Sequence, residues 1–298
     1  MAKVEVTPIY GDIITVKSTR ELIEARAKVY KEKGIDFILE DSGSVKKLIE
    51  PKGFVMEHFD TSSIITGVSL LRDFRKTIKD NIVLGKIDVD YDLKEAPIQF
   101  INVDLIKSNI GKQLLYIDIK GCYWRTAYNL GYISKEMYLK GSIPKYKLAR
   151  NTAIGSLVKT TYREHYIAGE LSEREIIKPS EELAFVRNKI IRTVWDLAVE
   201  FYKKSGGRLF MFTTDCFAID RDDYELLVDI TCGSNYELSL NNIVFKTVDE
   251  AKHKIMYWDR NKDENNKEYH YTKTPNCHIN YGYGNWFDIK KWIEDNEK

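Results

Sequence analysis

Two aspartates stand where a carboxylate could bind a metal ion. Asp118 lies at the end of the apolar run Leu114–Ile119 (LLYIDI), and Asp215 lies in the turn of the apolar segment Phe212–Phe217 (FTTDCF). An acid at the end of a buried strand is costly unless its charge is compensated, and Mg²⁺ is a suitable partner because it prefers oxygen ligands. A hairpin turn can bring its carboxylate beside a neighbouring strand end. Two carboxylates bridging ions about 3.5–4 Å apart serve two-metal phosphoryl transfer.

A basic helix is predicted between these aspartates. With 3.6 residues per turn, one face carries Lys147, Arg150, Asn151 and Ile154. This stripe offers two cations for phosphate, an amide, and an apolar surface for a base. Gly155 allows another backbone or a base pair to approach closely. The residues predicted to face the core instead are Leu148, Ala149 and Leu157.

Each feature also has an ordinary structural explanation. An aspartate at a strand end can cap the next turn, and aspartate is common in hairpin turns. The seven Lys or Arg and two Glu between Ser134 and His165 can form a solvated helix face. The alternating Asp88, Asp90 and Asp92 are typical of an exposed strand, with metal binding as the alternative. The order and separation of the three segments favour a functional site.

The surrounding pattern predicts an α+β fold in which helices cover one face of an antiparallel sheet. The predicted elements are the strand Leu114–Ile119, a helix over about Lys145–Thr160, a helix opening at Ser180 and stopped by Gly206 and Gly207, a strand–turn–strand over Arg208–Asp220, and a strand at Tyr224–Ile230. The stripe of the long helix comprises Leu183, Val186, Ile190, Val194, Leu197 and Phe201.

The remainder of the chain is predicted to form a mixed α/β region over residues 1–95 and a small extension over 241–298, on either side of a segment 96–240. The first region is expected to contain a helix at Thr19–Lys33, with Leu22, Ile23, Ala27 and Tyr30 on one face, and strands at Phe54–Met56 and Ile82–Val89. The extension is expected to contain a hairpin of Ile255–Trp258 with Glu268–Thr272, a turn at Gly282–Asn285 and a short terminal helix.

At the two aspartates and the basic helix, the chain resembles the palm of family B DNA polymerases, especially short viral and plasmid-type members. The family motif D-x-x-S-L-Y-P is matched at Asp118 and Tyr123. The motif K-x-x-x-N-S-x-Y-G is matched at Lys147, Asn151 and Gly155, and the motif D-T-D-S is matched at Thr214 and Asp215. The resemblance covers about residues 98–235. Thr213 and Cys216 replace the first acid and the serine of the third motif. The short spacing between the first two motifs leaves much reduced fingers, and residues 1–117 lack the D-x-E pair of a proofreading exonuclease.

The resemblance implies a role for each matched residue. Asp118 and Asp215 would be the shared ligands of two Mg²⁺ or Mn²⁺ ions, and the ring of Tyr123 would lie under the sugar and exclude a 2′-hydroxyl. The substrate-binding residues would then be Tyr123, Lys147, Arg150, Asn151 and Gly155. Lys147 would contact the triphosphate.

The predicted function is that of a minimal DNA nucleotidyltransferase without proofreading, acting on a DNA primer-template and dNTPs, with a further protein subunit or protein primer as a possible partner. Aromatic and lysine side chains of the extension could contact DNA, although packing is the alternative for most of them. A second hypothesis is a degenerate palm kept as a nucleic-acid-binding or structural component. A reverse transcriptase-like or template-free transferase shares the same chemistry.

Composition adds few constraints. The 298 residues carry a net charge of +1, so the overall charge does not indicate nucleic-acid binding. No run approaches the ~18 apolar residues of a membrane span, and the first thirty residues lack the apolar core of a secretory signal. The four cysteines form no C-x-x-C pair, which favours a reducing, cytoplasm-like compartment and gives no zinc motif. No P-loop, Rossmann or hydrolase motif is found.

Overall fold

The structure is a computed structural model that describes residues 14–43, 45–59, 62–93, 96–249, 254–259, 269–272 and 289–296. The β-strands are β1 (Ile14–Lys17), β2 (Phe37–Asp41), β3 (Val45–Ile49), β4 (Phe54–Phe59), β5 (Gln99–Ile101), β6 (Gln113–Ile119), β7 (Thr161–Ile167), β8 (Glu170–Ile177), β9 (Leu209–Thr213), β10 (Cys216–Ile219), β11 (Leu238–Asp249), β12 (Lys254–Asp259) and β13 (Tyr269–Thr272). The α-helices are α1 (Arg20–Lys33), α2 (Ser62–Val83), α3 (Val103–Lys107), α4 (Cys122–Asn129), α5 (Lys135–Ser142), α6 (Lys147–Ser156), α7 (Glu181–Lys204), α8 (Tyr224–Cys232) and α9 (Ile289–Asn296).

The chain divides into two compact units that are discontinuous in sequence. The first unit comprises residues 1–91 and 132–187, and the second comprises 92–131 and 188–298. The segment 96–240 is thus shared between the units, with its residues 132–187 joined to the N-terminal region. Helix α7 begins in the first unit and continues into the second.

The second unit is built on an antiparallel sheet in the order β13-β12-β11-β6-β10-β9-β5. One face of this sheet packs against the apolar residues of α7, α8 and α9, with Trp195 fully buried at the centre. The opposite face carries a smaller core to which α3 contributes Ile106. Together with the helices, this sheet confirms the predicted α+β class.

Helix α7 has the ends and the buried stripe that the sequence predicts. The Leu183 amide donates to the Ser180 hydroxyl at 3.4 Å, which caps the helix. Gly206 and Gly207 end it with φ angles of 65° and 87°, in the left-handed region that favours glycine. All six predicted stripe residues are buried. A helix over Thr19–Lys33 and a terminal helix are also found, as α1 and α9.

The structure corrects two predicted strands. Tyr224–Ile230 belongs to α8, which buries Leu227 and Thr231 one turn apart. A short apolar run does not distinguish a buried strand from a buried helix, and packing decides between them. The predicted strand Ile82–Val89 begins with the last turn of α2 and continues as turns through Gly85. Asp88, Asp90 and Asp92 therefore lie outside any strand.

The predicted hairpin of the extension is present as the antiparallel pair β12–β13. Its loop and the predicted turn at Gly282–Asn285 lie outside the described residues. Of the aromatic and lysine residues predicted to contact DNA there, Tyr257 has a described side chain, and its ring centroid lies 6.0 Å from that of Tyr116. This contact is a packing contact within the second unit.

The first unit contains a second sheet in the order β1-β4-β3-β2-β7-β8, in which β1 and β4 are parallel and the other pairs are antiparallel. The β7–β8 hairpin, for which the sequence gives no prediction, joins this sheet by pairing with β2. Helix α1 covers the sheet with Ile23, Ala27 and Tyr30. Leu22, predicted on the same face, is 57% exposed, which corrects that prediction.

Helices α2 and α6 of the first unit pack at very short range. A β-carbon built on Gly67 of α2 would lie 2.0 Å from the β-carbon of Ala149 on α6. We therefore expect Gly67→Ala to lower the free energy of unfolding by about 1–3 kcal/mol, the usual cost of overpacking a close contact. Chemical denaturation of the purified variant would measure this change.

Two further variants separate the steric clash from other effects. Gly155→Ala is the matched control on α6, because its added β-carbon meets nothing within 4 Å. It should raise stability by about 0.5–1 kcal/mol through helix propensity alone. Combining Gly67→Ala with Ala149→Gly should recover stability, giving a favourable coupling energy. Strict additivity of the two changes would contradict this packing explanation.

Candidate metal centre

The strand β6 places Asp118 on the sheet face opposite α7. Side chains alternate along a strand, and Ile117 and Ile119 enter the core that includes α7. Tyr116 packs against the smaller core on the other face, and Asp118 follows it by two positions. In the register of β6 with β10, Asp118 lies opposite Cys216. Strand β6 is the middle strand of this sheet as described, so neighbouring strands on both sides hold the backbone of Asp118.

The turn that carries Asp215 has a strained backbone. Thr214 has a φ angle of 56°, and the Asp215 amide donates to the Thr213 carbonyl at 2.7 Å. This is the hydrogen-bond pattern of a γ-turn with positive φ, which is rare and unfavourable for a β-branched residue. The Thr214 amide donates to the Ile98 carbonyl at 2.6 Å, and the Ile119 amide donates to the Asp215 carbonyl at 3.0 Å. Strain of this kind persists where the surroundings impose it.

Tyr123 contacts the same turn from helix α4. Its hydroxyl donates to the Thr214 carbonyl at 2.9 Å, and its ring packs at the edge of the main core. The hydroxyl of Thr214 donates to Asp215 Oδ1 at 2.9 Å. Tyr123 and Thr214 thereby hold the turn and its carboxylate in one orientation.

Three ligand-type side chains meet at this end of the sheet: Asp118, Asp215 and Cys216. One ligand atom of each lies within 4.8 Å of the others. The Cys216 thiol donates to Asp118 Oδ1 at 3.2 Å and approaches Asp215 Oδ1 at 3.6 Å. Among the described residues, neither carboxylate forms an ion pair with a basic side chain. Two close acids without a cationic partner suit a divalent cation.

The protonation states favour oxygen ligands over sulfur. Burial raises the pKa of the Cys216 thiol far above its ordinary value, and the charges of Asp215 and Asp118 raise it further. The thiol therefore stays protonated at neutral pH and donates to a carboxylate. Burial, and after it the Asp118 charge, also raises the pKa of Asp215. The available donor set is that of two carboxylates, which suits Mg²⁺ or Mn²⁺.

The predicted site residues are divided between the units. Asp118, Tyr123 and Asp215 lie together in the second unit, whereas the others lie on α6 in the first unit. Of these, Lys147, Asn151 and Gly155 are exposed. The Arg150 guanidinium donates from Nη1 to the Gly141 carbonyl at 3.2 Å, which ties α6 to α5.

The predicted division of α6 into faces is partly wrong. Ile154 is 5% exposed, so it is a packing residue and offers no surface for a base. Leu148, predicted to face the core, is 39% exposed. Ala149 and Leu157 are buried as predicted. Helix α6 buries Ala149, Ala153 and Ile154, and Ala149 contacts α2. The sequence of α6 alone does not indicate how far around the helix this burial extends.

Two features of the centre are not assigned from sequence. The motif comparison identifies Cys216 only as a replacement for serine. In the structure, Cys216 directly follows Asp215 and pairs with Asp118 in the strand register, which brings its thiol close to both acids. The bond from Tyr123 to the Thr214 carbonyl has no sequence signal, because it joins residues 91 positions apart.

Neither a protein-family model, nor a curated protein, nor a solved structure matches this chain. Within the described residues, no helix has the length and apolar character needed to cross a membrane. A functional assignment therefore depends on the geometry of the centre and on its motifs.

Replacing Asp215 by asparagine is expected to raise the thermal stability of the metal-free protein at neutral pH. The folded carboxyl keeps its proton to a higher pH than the unfolded one, so its ionisation disfavours the folded state. This destabilisation of the folded protein is fully present at pH values above the raised pKa of Asp215, and it disappears below the ordinary pKa of an aspartate. The difference in melting temperature between the two proteins should therefore shrink as the pH falls.

Adding Mn²⁺ should reverse the order of stability. An ion that binds only the folded protein stabilises it by about 1.4 kcal/mol at ten times its dissociation constant. Wild-type protein should gain this stability, and Asp215→Asn should gain much less because one of its two carboxylates is gone. Thermal unfolding in EDTA and in Mn²⁺ measures both effects. Equal stabilisation of the two proteins by Mn²⁺ would place the ion elsewhere.

Proposed function

We propose that this protein is a metal-dependent DNA nucleotidyltransferase with a family B-like palm, adding deoxynucleotides to a primer 3′-hydroxyl. The observation that carries the proposal is the meeting of the Asp118 and Asp215 carboxylates at one end of an antiparallel sheet, beside Cys216 and within 4.8 Å. The motif resemblance at the same two residues supports it independently.

The two carboxylates are held in different ways. Asp118 is carried by a central strand paired on both sides, so its backbone has little freedom. Asp215 is carried by a strained turn that hydrogen bonds from Thr214, Ile119 and Tyr123 hold in place. Pre-organised ligands of this kind keep their geometry through the reaction. Bound divalent cations would activate the attacking hydroxyl and neutralise the leaving pyrophosphate.

The substrate residues are proposed from the resemblance. The Tyr123 ring would lie under the sugar, and Lys147, Arg150, Asn151 and Gly155 would contact the nucleotide. Arg150 donates to the Gly141 carbonyl from Nη1 and its Nε is buried, so Nη2 is the part of its guanidinium left for a phosphate. Thr213, 8% exposed and 3.4 Å from the Tyr116 hydroxyl, supplies a neutral group where the family has an acid.

Primer extension tests the proposal. Purified protein is given a labelled DNA primer, dNTPs and either Mg²⁺ or Mn²⁺, with a DNA template, an RNA template or no template in parallel. Extension that requires metal and the DNA template supports the proposal. Extension on RNA or without a template would reassign the substrate within the same chemistry. DNA binding without any extension would favour the degenerate palm.

A further inference from the structure

The first unit contains a cavity of about 480 Å³ whose lining includes neither Asp118 nor Asp215. Its lining comes from strands β2, β3, β4 and β7 and from helices α2 and α6, with Ser42 and Lys159 from connecting segments. Its size falls within the range of small-molecule sites, about 300–1,000 Å³, and exceeds what a simple anion needs.

The charge of the cavity is positive. Arg72 and Arg75 lie one turn apart on α2 and line it, and neither forms an ion pair with another described residue. The two acids in the lining are compensated by other cations. Glu40 accepts from the Arg163 guanidinium at 2.9 and 2.7 Å. Glu57 pairs with Lys47 at 3.6 Å, so two arginines are left for an anionic ligand.

The rest of the lining combines hydroxyl groups with apolar side chains. Hydroxyl groups come from Thr152 and Thr161, and from Ser42 and Ser156, which already donate to the Val45 and Ala153 carbonyls. An apolar wall comes from Val45, Phe59 and Leu71. Arginine binds phosphate through a planar fork of donors, and an aromatic side chain can stack on a base.

Gly155 provides a separate indication. It is the next-to-last residue of α6 and lines the cavity, and a β-carbon added to it would meet nothing within 4 Å. Glycine within a helix is less stable than alanine, and no close contact among the described residues requires it here. A ligand that approaches the α6 backbone closely would account for the missing side chain.

We infer that this cavity binds a nucleotide, with its phosphates on Arg72 and Arg75 and its base against the apolar wall. A free nucleoside triphosphate and a nucleotide within a single strand share this chemistry. The site uses residues of the first unit alone and contains neither Asp118 nor Asp215. Gly155 is the one residue that it shares with the substrate residues proposed from the resemblance.

Binding of a fluorescent dATP analogue, followed by anisotropy in EDTA, tests the inference without any catalytic readout. Wild-type protein should bind it saturably. Arg72→Gln and Arg75→Gln should each weaken binding about tenfold, the loss expected for one charged hydrogen bond. Gly155→Leu should weaken it by filling the cavity. Lys79→Gln, on the same helix but outside the lining, removes the same charge and should bind as wild type.

Competition identifies the ligand. Displacement by unlabelled dATP but not by a short oligodeoxynucleotide indicates a free nucleotide, and displacement by the oligodeoxynucleotide at least as readily indicates a strand. Asp118→Asn should bind the analogue as wild type does, because Asp118 does not line the cavity. Nucleotide binding can therefore be confirmed even if the proposed catalysis is not found. The inference is overturned if Lys79→Gln weakens binding of the analogue as much as the arginine variants do, or if inorganic triphosphate competes as well as dATP. It is also overturned if folded wild-type protein shows no saturable binding with the analogue at about 1 mM, a typical upper KM.

Discussion

Asp118→Ala and Asp215→Ala should each lower metal-dependent primer extension by about a thousandfold, because bound cations contribute several kcal/mol of charge stabilisation in the transition state. Each change removes one of two carboxylates whose ligand atoms lie within 4.8 Å at the end of the sheet. The measurement is the single-turnover rate of dNTP addition in Mg²⁺ and in Mn²⁺. Both variants should keep DNA binding, since neither acid attracts the DNA backbone.

The control for these variants is Asp222→Ala. Asp222 is an exposed aspartate of the same unit that lies outside the candidate centre. It should extend primers at the wild-type rate. Full activity in Asp118→Ala or Asp215→Ala would rule out the two-carboxylate mechanism. If both of these variants are fully active and Asp222→Ala loses primer extension, the active site lies elsewhere than at Asp118 and Asp215.

Tyr123→Ala should gain ribonucleotide incorporation, with discrimination between dNTP and rNTP falling by about tenfold or more, the scale on which pockets reject a single extra group. The ring is the part of Tyr123 that would exclude a 2′-hydroxyl. Tyr123→Phe keeps the ring, so its sugar discrimination should be close to that of wild type. Measuring kcat/KM for matched dNTP and rNTP gives both values.

The hydroxyl of Tyr123 makes a separate contribution through the turn. Tyr123→Phe loses the 2.9 Å bond to the Thr214 carbonyl, so its rate with dNTP should fall about fivefold, the effect of about 1 kcal/mol. Tyr128→Phe, which removes a hydroxyl from the same helix, is the matched control. If Tyr123→Ala discriminates between the sugars as wild type does, Tyr123 acts only as a positioning residue.

The strained turn and the raised pKa of Asp215 have the same consequence for stability. A positive φ at Thr214 and two acids side by side both disfavour the metal-free folded protein. A destabilising cluster within an otherwise well-packed sheet is typical of functional sites. This distribution is the physical reason for expecting Asp215→Asn to stabilise the metal-free protein while lowering metal-dependent primer extension.

Elements whose signals are local could be predicted from the amino-acid sequence. Helix α7 is indicated by a serine cap, a 3.6-residue apolar stripe and two glycines, and strand β6 by a continuous apolar run. The strand–turn–strand over Arg208–Asp220 is predicted in the same way and is present as β9 and β10. Both aspartates are placed correctly at a strand end and in a turn, because these positions are set by nearest neighbours.

Features that depend on pairing between distant segments required the folded structure. The β7–β8 hairpin joins the N-terminal sheet through β2, and α6 belongs to the first unit rather than to the unit of the acids. Packing made Tyr224–Cys232 a helix and buried Ile154. The register that sets Cys216 opposite Asp118 joins residues 98 positions apart. Local periodicity fixes which residues form an element, whereas long-range burial and strand register fix which elements meet.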